Sequence, residues 1–419
     1  MSISLKHIPI DIQNKYGLQK LARNGSVVMR IGSTIYGLKA AGRLSQDRLI
    51  AHLAENGYHQ AKHTPCLFVH KSNGVAFTLV VDDFLVKYQT QESIDHFTET
   101  LRKLYVITVD TALKQKYVGI TIDYNKAKGY MDLSMPGYVT NALTRFNKLN
   151  VKGANSPIVY TPPVYGAKSQ TIPADGPPAS PLTDAHRKTL QEIIGVFLYY
   201  ARAVDPMMLP AVNKLGSRQA TADSSIFKDT DRLFQYASRW RNAVTRIKPS
   251  DMQLYVHSDA SYLSESKSRS RAGGFMYLGQ CKTGGIPNAP VCYLSTIIST
   301  VVDSAAAAEY AALFINAQAA TSIRQTLEAL GYHQTPTIIT CDNKCAVGIS
   351  NKSFTQKRSK TIDMRYHWIQ DQIELGNFAV IWEAGKFNLA DFFTKAHPVS
   401  HHVNMMNTYL VPEEGVLIS

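Results

Sequence analysis

The chain has 419 residues, with 45 Lys and Arg against 32 Asp and Glu, a formal net charge of +13 and a pI near 9.3. Its 45% hydrophobic and 18% charged residues exclude a disordered or fibrous chain, and its length allows two to four domains. Five cysteines cannot be a disulfide framework in so long a chain, no run nears the roughly 18 apolar residues of a membrane span, and no signal-peptide core follows Met1–Lys6. An intracellular protein without a membrane partner is therefore expected.

The positive surplus is uneven. Net charge is +8 over residues 1–150, +6 over 151–250 and −1 over 251–419. Two basic segments followed by a neutral one fit a part that grips a polyanion such as nucleic acid, joined to a part that balances its own charge. A plain solubility charge explains the same numbers equally well.

In chain order, the first signal is Leu79–Val86, which taken alone is weak and better explained as a structural turn. Apolar residues on both sides of Asp82-Asp83 predict two buried strands, with the acids exposed at the tight turn between them. Ser156–Pro181 holds Pro157, Pro162, Pro163, Pro173, Pro177, Pro178 and Pro181, a density that forbids a long helix or a central strand and predicts an extended connector. The apolar run from Thr183 to Ala203, stopped before Pro206, predicts a helix, and a second is expected from about Ser225 to Val244.

The last third has its own alternation. Strands are predicted at Met252–Ser258, ending on Asp259, then at Gly274–Leu278 and Val291–Ile298 across a Gly284-Gly285 turn. An Ala-rich helix is predicted over Asp303–Ala320, a strand over Thr337–Thr340, and an amphipathic helix from Lys360 to Leu375 that ends at Gly376. A strand at Phe378–Trp382 and a short helix at Asn388–Lys395 complete a β-β-β-α-β-α-β-α order, that of a mixed sheet with helices on its faces.

On that outline Asp259 and Asp342 fall at strand ends, Glu309 in the Ala-rich helix and Asp391 in the last helix. Four acids gathered at one edge of a sheet repel and raise one another's pKa unless cations hold them. Two Mg²⁺ or Mn²⁺ ions suit such oxygen ligands, and a pair about 3.5–4 Å apart can activate water and stabilise the leaving oxygen of a phosphodiester. Taken singly, each acid is better explained as a cap or a solvated charge.

Together the motifs carry more. Ser258-Asp259-Ala260, Ala308-Glu309-Tyr310, Cys341-Asp342-Asn343, Lys360–His367 and Ala390–Lys395, in this order, resemble the ribonuclease H domain of Ty1/copia-type retrotransposon Pol polyproteins over about residues 251–397. The resemblance implies that Asp259, Glu309, Asp342 and Asp391 form a two-metal site that cuts the RNA strand of an RNA–DNA hybrid. One departure is visible. Cellular ribonucleases H usually carry a His in the loop before the last acid, whereas this loop reads Glu383-Ala384-Gly385-Lys386-Phe387-Asn388.

The first third resembles the reverse transcriptase of the same polyproteins. Ile35–Arg43 is similar to the family's Tyr-Gly-Leu-Lys segment, which implies contacts of Tyr36, Gly37, Lys39 and Arg43 with template and nucleotide. Leu79–Val86 is similar to the polymerase hairpin with paired aspartates, implying metal-ligating roles for Asp82 and Asp83. Tyr117–Ile120 and Met135–Tyr138 follow in family order. Family members generally carry Gln where Ala40 stands and an aromatic where Val80 stands. Only 35 residues precede Tyr36, and Asp11 lacks a strand pattern, so the fingers and a third catalytic Asp are expected to be missing and autonomous DNA synthesis is not expected.

The expected fold class is α/β and α+β multidomain. A partial reverse transcriptase (fingers and palm remnant) is expected over 1–150, a Pro-rich linker with thumb or connection helices over 151–250, a ribonuclease H-like mixed sheet with flanking helices over 251–398, and a tail over 399–419. Asn343 is a candidate nucleic-acid contact, and Lys267, Arg269 and Arg271 after the first catalytic strand, with Lys352, Lys357, Arg358 and Lys360 neighbouring Asp342, are candidate contacts to hybrid phosphates, against the alternative of a solvated face. Cys341 and Cys345 read as buried thiols rather than zinc ligands, His367 as packed or surface-bonded, and His397, His401 and His402 as solvated tail histidines. Three functions remain. They are a ribonuclease H acting on hybrid within a retroelement fragment, a catalytically inactive nucleic-acid-binding remnant, and an integrase-type nuclease, which the four carboxylates and polymerase motifs disfavour. Template RNA and DNA, and the rest of a Pol polyprotein, are the implied partners.

Overall fold

The computed structural model describes residues 2–29, 40–162, 180–279, 288–352 and 363–411. The Tyr36 segment, most of the Pro-rich connector, the Gly284-Gly285 turn, and Lys357, Arg358 and Lys360 lie outside the described residues. The chain divides into two compact units, one of residues 1–61, 65–77 and 86–107, the other of 62–64, 78–85 and 108–419.

In the first part of the chain, β1 (Ser2–Ser4) pairs antiparallel with β2 (Ser26–Val28), with α1 (Ile10–Lys15) and α2 (Leu18–Leu21) between them in sequence. There follow α3 (Ala41–Glu55), β3 (Tyr58–Ala61), β4 (Thr64–His70), β5 (Ala76–Val80), β6 (Asp83–Lys87) and α4 (Gln91–Arg102). Strands β3 to β6 form a meander in sequence order. The buried rings of Phe68 and Phe77 stack at 5.0 Å, and Phe97 meets Tyr58 edge-on at 5.2 Å. Thr90 and Ser93 form a reciprocal capping box that fixes the start of α4.

From residue 108 onward the second unit holds β7 (Lys114–Tyr117), β8 (Ile120–Asn125) and β9 (Tyr130–Ser134), an antiparallel sheet that β10 (Val244–Ile247) completes against β9. Arg246 on β10 grips Asp132 on β9 with two 2.7 Å bonds while its guanidinium lies 3.8 Å above Tyr130. Between them lie α5 (Tyr138–Arg145), α6 (Asp184–Ala203), α7 (Leu209–Arg218) and α8 (Ile226–Arg239). Thr183 caps α6 by accepting from His186 N, and Leu190, Ile193, Ile194, Phe197, Tyr200 and Ala201 make one buried stripe at helical spacing. The helix expected to reach Val244 stops at Arg239, because Val244 already belongs to β10.

The remaining elements are β11 (Leu254–Glu265), β12 (Arg269–Leu278), β13 (Pro290–Ile297), α9 (Ala305–Ala329), β14 (Thr337–Cys341), α10 (Lys344–Ser350), α11 (Asp363–Glu374), β15 (Phe378–Trp382) and α12 (Val399–Tyr409). The five strands run in the order β13-β12-β11-β14-β15, antiparallel among the first three and parallel from β11 to β15. This is the mixed sheet expected from pattern. One detail differs. β11 does not stop at Ser258: its parallel pairing to β14 covers only Tyr255–His257, while antiparallel pairing to β12 continues to Ser261. Asp259 therefore sits two residues past the last rung shared with β14, in a strand that has lost one neighbour.

Residues 399–409, expected as tail, form α12, with His402, Met406 and Tyr409 buried. Its packing shows how the unit is built. Phe197, Leu209 and Phe234 from the helices share one apolar core with Phe275 and Tyr277 of β12, Tyr293 of β13, Phe393 and Tyr409. Tyr138 stacks on Tyr200 at 5.7 Å and donates to Val196 O, which ties α5 to α6. Helices 184–239 and the C-terminal sheet are thus one hydrophobic body. Replacing the fully buried Phe393 by Ala should cost about 3–5 kcal/mol in a urea melt of the full chain. A fragment of residues 251–419 alone should bind a hydrophobic dye that the full chain does not.

Candidate active site

A strand interior, a helix, a strand end and a 3₁₀ turn deliver the four carboxylates. Asp259, 3% exposed, faces Gly273 across the β11–β12 pair. A Cβ on Gly273 would lie 2.5 Å from Ala390 O, and one on Gly274 would run into the Asn316 amide. Two side-chain-free positions on β12 therefore let the turn carrying Asp391 and the middle of α9 close onto the sheet. Asn316 fills that approach, donating to Ser258 Oγ at 2.9 Å and to Gly273 O at 2.8 Å.

Glu309 lies in the second turn of α9, whose start is capped by Ser304 accepting from Ala307 N. Ala308, Ala311 and Ala312 pack on Ala272, so small residues on both partners bring the helix close to β12. Asp342 follows β14 directly, its carbonyl accepting from Trp382 Nε1 at 2.9 Å. Asn343 caps α10, accepting from Cys345 N and Ala346 N. Asp391 stands in a 3₁₀ turn over Leu389–Phe393. That turn is held by Asn388, which donates to Ser258 O at 2.8 Å, and by Leu389 N, which donates to His257 Nδ1 at 3.1 Å. Thr394 Oγ1 donates to Asp259 Oδ2 at 2.8 Å, and the Lys395 ammonium pairs with Asp391 Oδ1.

The carboxylates lie close enough to disturb one another. Burial, then the Asp391 and Asp342 charges, push Asp259 up to about 7, although Thr394 and Lys395 pull the other way. Burial, then Asp259 and Asp342, push Glu309 up to about 9 against a hydrogen bond from the Ala260 backbone. Asp342 is raised by burial and by Asp391. Burial opposes the charge on Lys395, but its hydrogen bond and attraction to Asp391 hold the ammonium pKa above its ordinary value. Positions 259, 309, 342 and 391 are thus brought near one another. Their donor set is all carboxylate oxygen, four acids against the one ammonium of Lys395, which fits hard divalent cations.

Other expected residues fall elsewhere. Arg271 is 4% exposed, its Nε donating to Glu265 Oε1 at 2.6 Å and its Nη1 to Ser295 Oγ at 3.1 Å. It is a buried structural ion pair rather than a phosphate contact, because β12 turns that side chain into the protein. Arg269 is half-buried and Lys267 exposed. Cys341 is buried with Sγ 3.8 Å from Glu309 Oε2, whereas Cys345 is exposed on the first turn of α10. His402 is buried and the His397 side chain only 7% exposed, so neither is a solvated tail histidine. Asp82 and Asp83 are exposed at the β5–β6 turn, where Val81 adopts φ +60°. That conformation is disfavoured for a β-branched side chain, so the hairpin tip is strained. Arg43 is exposed on α3, 3.7 Å from Asp47. Sequence reasoning gave no role to Asn316, Asn388 or Thr394. The available signal was Gly273-Gly274 inside a strand pattern, which marks a close approach by another segment.

Compared with known proteins, residues 12–160 match the family described as Reverse transcriptase (RNA-dependent DNA polymerase). The Retrovirus-related Pol polyprotein from transposon TNT 1-94 of Nicotiana tabacum is 23% identical over 384 residues, 90% of this chain and 28% of that protein. This chain resembles retrotransposon Pol polyproteins. The corresponding polyprotein from transposon RE2 of Arabidopsis thaliana is 24% identical over 88% of the chain and 24% of its own length. The chain thus spans about a quarter of the length of these Pol polyproteins. Among solved structures, the foamy viral protease-reverse transcriptase in complex with RNA/DNA hybrid aligns over 90% of this chain and 42% of that one, at 12% identity and TM-score 0.49.

Two outcomes follow from the geometry. A methyl group at position 273 has only backbone and packed side chains to displace, so Gly273→Ala should destabilise the chain by about 1–3 kcal/mol in denaturant titration. Asp259 and Glu309 have folded pKa values raised above their unfolded ones. Their contribution is therefore fully present below about pH 4 and lost as pH rises through about 7 and 9. Without divalent cations, Asp259→Asn should raise the melting temperature at pH 8 and not at pH 4. The gain at pH 8 should be at least about 1 kcal/mol, since one pKa unit is worth about 1.4 kcal/mol.

Proposed function

We propose that this chain is a reverse transcriptase/ribonuclease H piece of a retroelement polyprotein, and that its C-terminal carboxylate cluster hydrolyses the RNA strand of RNA–DNA hybrids. The observation that carries the reading is the convergence of the acids: Glu309 and Asp342 offer ligand atoms within 4.8 Å of one another, and Thr394 Oγ1 lies 2.8 Å from Asp259 Oδ2 and 2.9 Å from Asp391 O. Desolvation and like charge make this arrangement costly for a protein with no cation to put there.

Two Mg²⁺ or Mn²⁺ ions held by these four side chains would activate the attacking water and stabilise the leaving 3′ oxygen. The chain's own residues do the rest. Thr394 fixes one oxygen of Asp259, leaving the other directed by the strand. Asn388 and His257 hold the turn of Asp391 against β11. Lys395 balances part of the carboxylate charge. At the rim, Trp382 and Phe387 are 45% and 52% exposed, with Lys344 4.6 Å and Lys386 4.7 Å from the respective ring centroids. Exposed aromatics paired with ammonium groups suit the sugars and phosphates of a nucleic-acid strand.

For the reverse transcriptase segment we propose that Asp82 and Asp83 supply metal-ligating oxygens at the β5–β6 turn. A nucleotide-transfer site of this kind calls for a further carboxylate on a neighbouring strand, and Asp11 stands exposed on the short helix α1. Autonomous DNA synthesis is not part of the proposal.

The test uses the full chain and a labelled hybrid in Mg²⁺. The RNA strand should be cut to products with 5′-phosphate and 3′-hydroxyl ends, duplex DNA should remain intact, and Asp342→Asn should slow cleavage by at least about a hundredfold. Salt-sensitive binding of hybrid with no cleavage by the unmutated chain would replace this reading with that of an inactive nucleic-acid-binding remnant.

A further inference from the structure

Behind the turn that carries Asp391, the chain folds two histidines against it. His397 Nε2 donates to Asp391 O at 3.2 Å, a hydrogen bond that an ion bound to this nitrogen would replace, and lies 3.8 Å from Asp391 Oδ2. Its ring stacks on Phe392 with the planes 7° apart, which fixes its orientation. His401, four residues on and in the first turn of α12, lies over the His397 ring with centroids 4.5 Å apart. One ligand atom each from Asp391, His397 and His401 can be chosen so that all lie within 4.8 Å of one another. Beside them is a cavity of about 270 Å³, lined by Lys386, Asn388, Asp391, His401 and Met405. It has room for an ion and the water that would complete its coordination.

Two imidazoles and one carboxylate are a nitrogen-rich donor set. Such a set favours Zn²⁺, Co²⁺ or Ni²⁺ over Mg²⁺, which demands oxygen and keeps its waters. In a tetrahedral site with 2.0–2.1 Å bonds, donor atoms stand about 3.3 Å apart, so side-chain rotations of about 1 Å would close this set on an ion. The donors differ from those of the carboxylate cluster except for one. Asp391 belongs to both, with Lys395 on Oδ1 and the histidine on Oδ2.

We propose that Asp391, His397 and His401 form a binding site for a Zn²⁺-class cation, and that its occupation withdraws Asp391 from the carboxylate cluster. Binding stands on this geometry alone. The effect on hydrolysis rests on the proposed ribonuclease activity, where the ion acts as an inhibitor in the presence of Mg²⁺.

The experiment titrates the untagged full chain, stripped of metal, with Co²⁺ in excess Mg²⁺ and follows the visible absorption of low-coordinate Co²⁺. An intense low-coordinate spectrum is expected, displaced by Zn²⁺. His401→Ala, at the helix start, should weaken binding at least about tenfold, the loss typical of disturbing even a group that only supports a ligand. His401→Cys, which restores a donor, should recover binding. Circular dichroism melts confirm that each variant is folded. A spectrum of six-coordinate Co²⁺ only, or an affinity unchanged in folded His401→Ala, overturns the site. In the hybrid-cleavage assay, inhibition by Zn²⁺ should fall at least about tenfold in His401→Ala. Inhibition unchanged in that variant overturns the link to the carboxylate cluster. Loss of Co²⁺ binding in His401→Ala supports the site even where no cleavage occurs at all, so the two readings fail separately.

Discussion

The energetic problem at the centre of this chain is the gathering of like charges where water is scarce. Asp259 and Glu309 are almost wholly buried, and Asp342 and Asp391 add their fields. A fold that needed only stability would place apolar side chains there. This one commits two glycines, two buried asparagines and a threonine to holding acids near one another. The Gly273-Gly274 pair admits the Asp391 turn and Asn316, and Asn388 ties that turn to the strand bearing Asp259. Desolvation is thus concentrated midway along β11, around Asp259.

The scaffold that bears this cost is larger than the sheet. Aromatic side chains of β12, β13, the Asp391 turn and α12 interlock with helices drawn from residues 184–239. Tyr293 donates to Ala201 O and Tyr409 donates to Leu389 O, so the apolar core also carries polar ties that set the turn in place. The helices therefore act on the site through packing, with Phe392 and Phe393 anchoring either side of the loop that presents Asp391. A segment read as a linker and connection packs as part of the body that holds the C-terminal sheet.

Much of this was legible in the sequence because its signals were local. Phe378–Trp382 is a strand over the residues its pattern named, and Thr183–Ala203 differs from α6 by a single capping residue. Strand and helix order left it open that the four acids could converge on one edge, and the family resemblance implied that they share a site. What escaped depended on distant partners. The continuation of β11 past Asp259 comes from β12, not from its own alternation. The helix α7 was hidden behind Pro206 and Pro210, which break a helix in its interior but are favoured at its start. The helix α12 carries buried His402 and Met406 in a stretch that reads as polar, and its stripe is apolar only once Phe392 and Tyr236 cover it. Arg271 has the sequence context of a phosphate contact, and only its register on β12 turns it towards Glu265.

The central claim, that Asp259, Glu309, Asp342 and Asp391 are a divalent-cation site, is tested most directly by electron paramagnetic resonance of Mn²⁺ added to the metal-free full chain at pH 8. The account expects loss of the free-ion signal with a stoichiometry of two bound ions, and its return on replacing Asp342 by Asn in a chain that remains folded. A free-ion signal that persists at one and two equivalents of Mn²⁺, with and without hybrid, would contradict it.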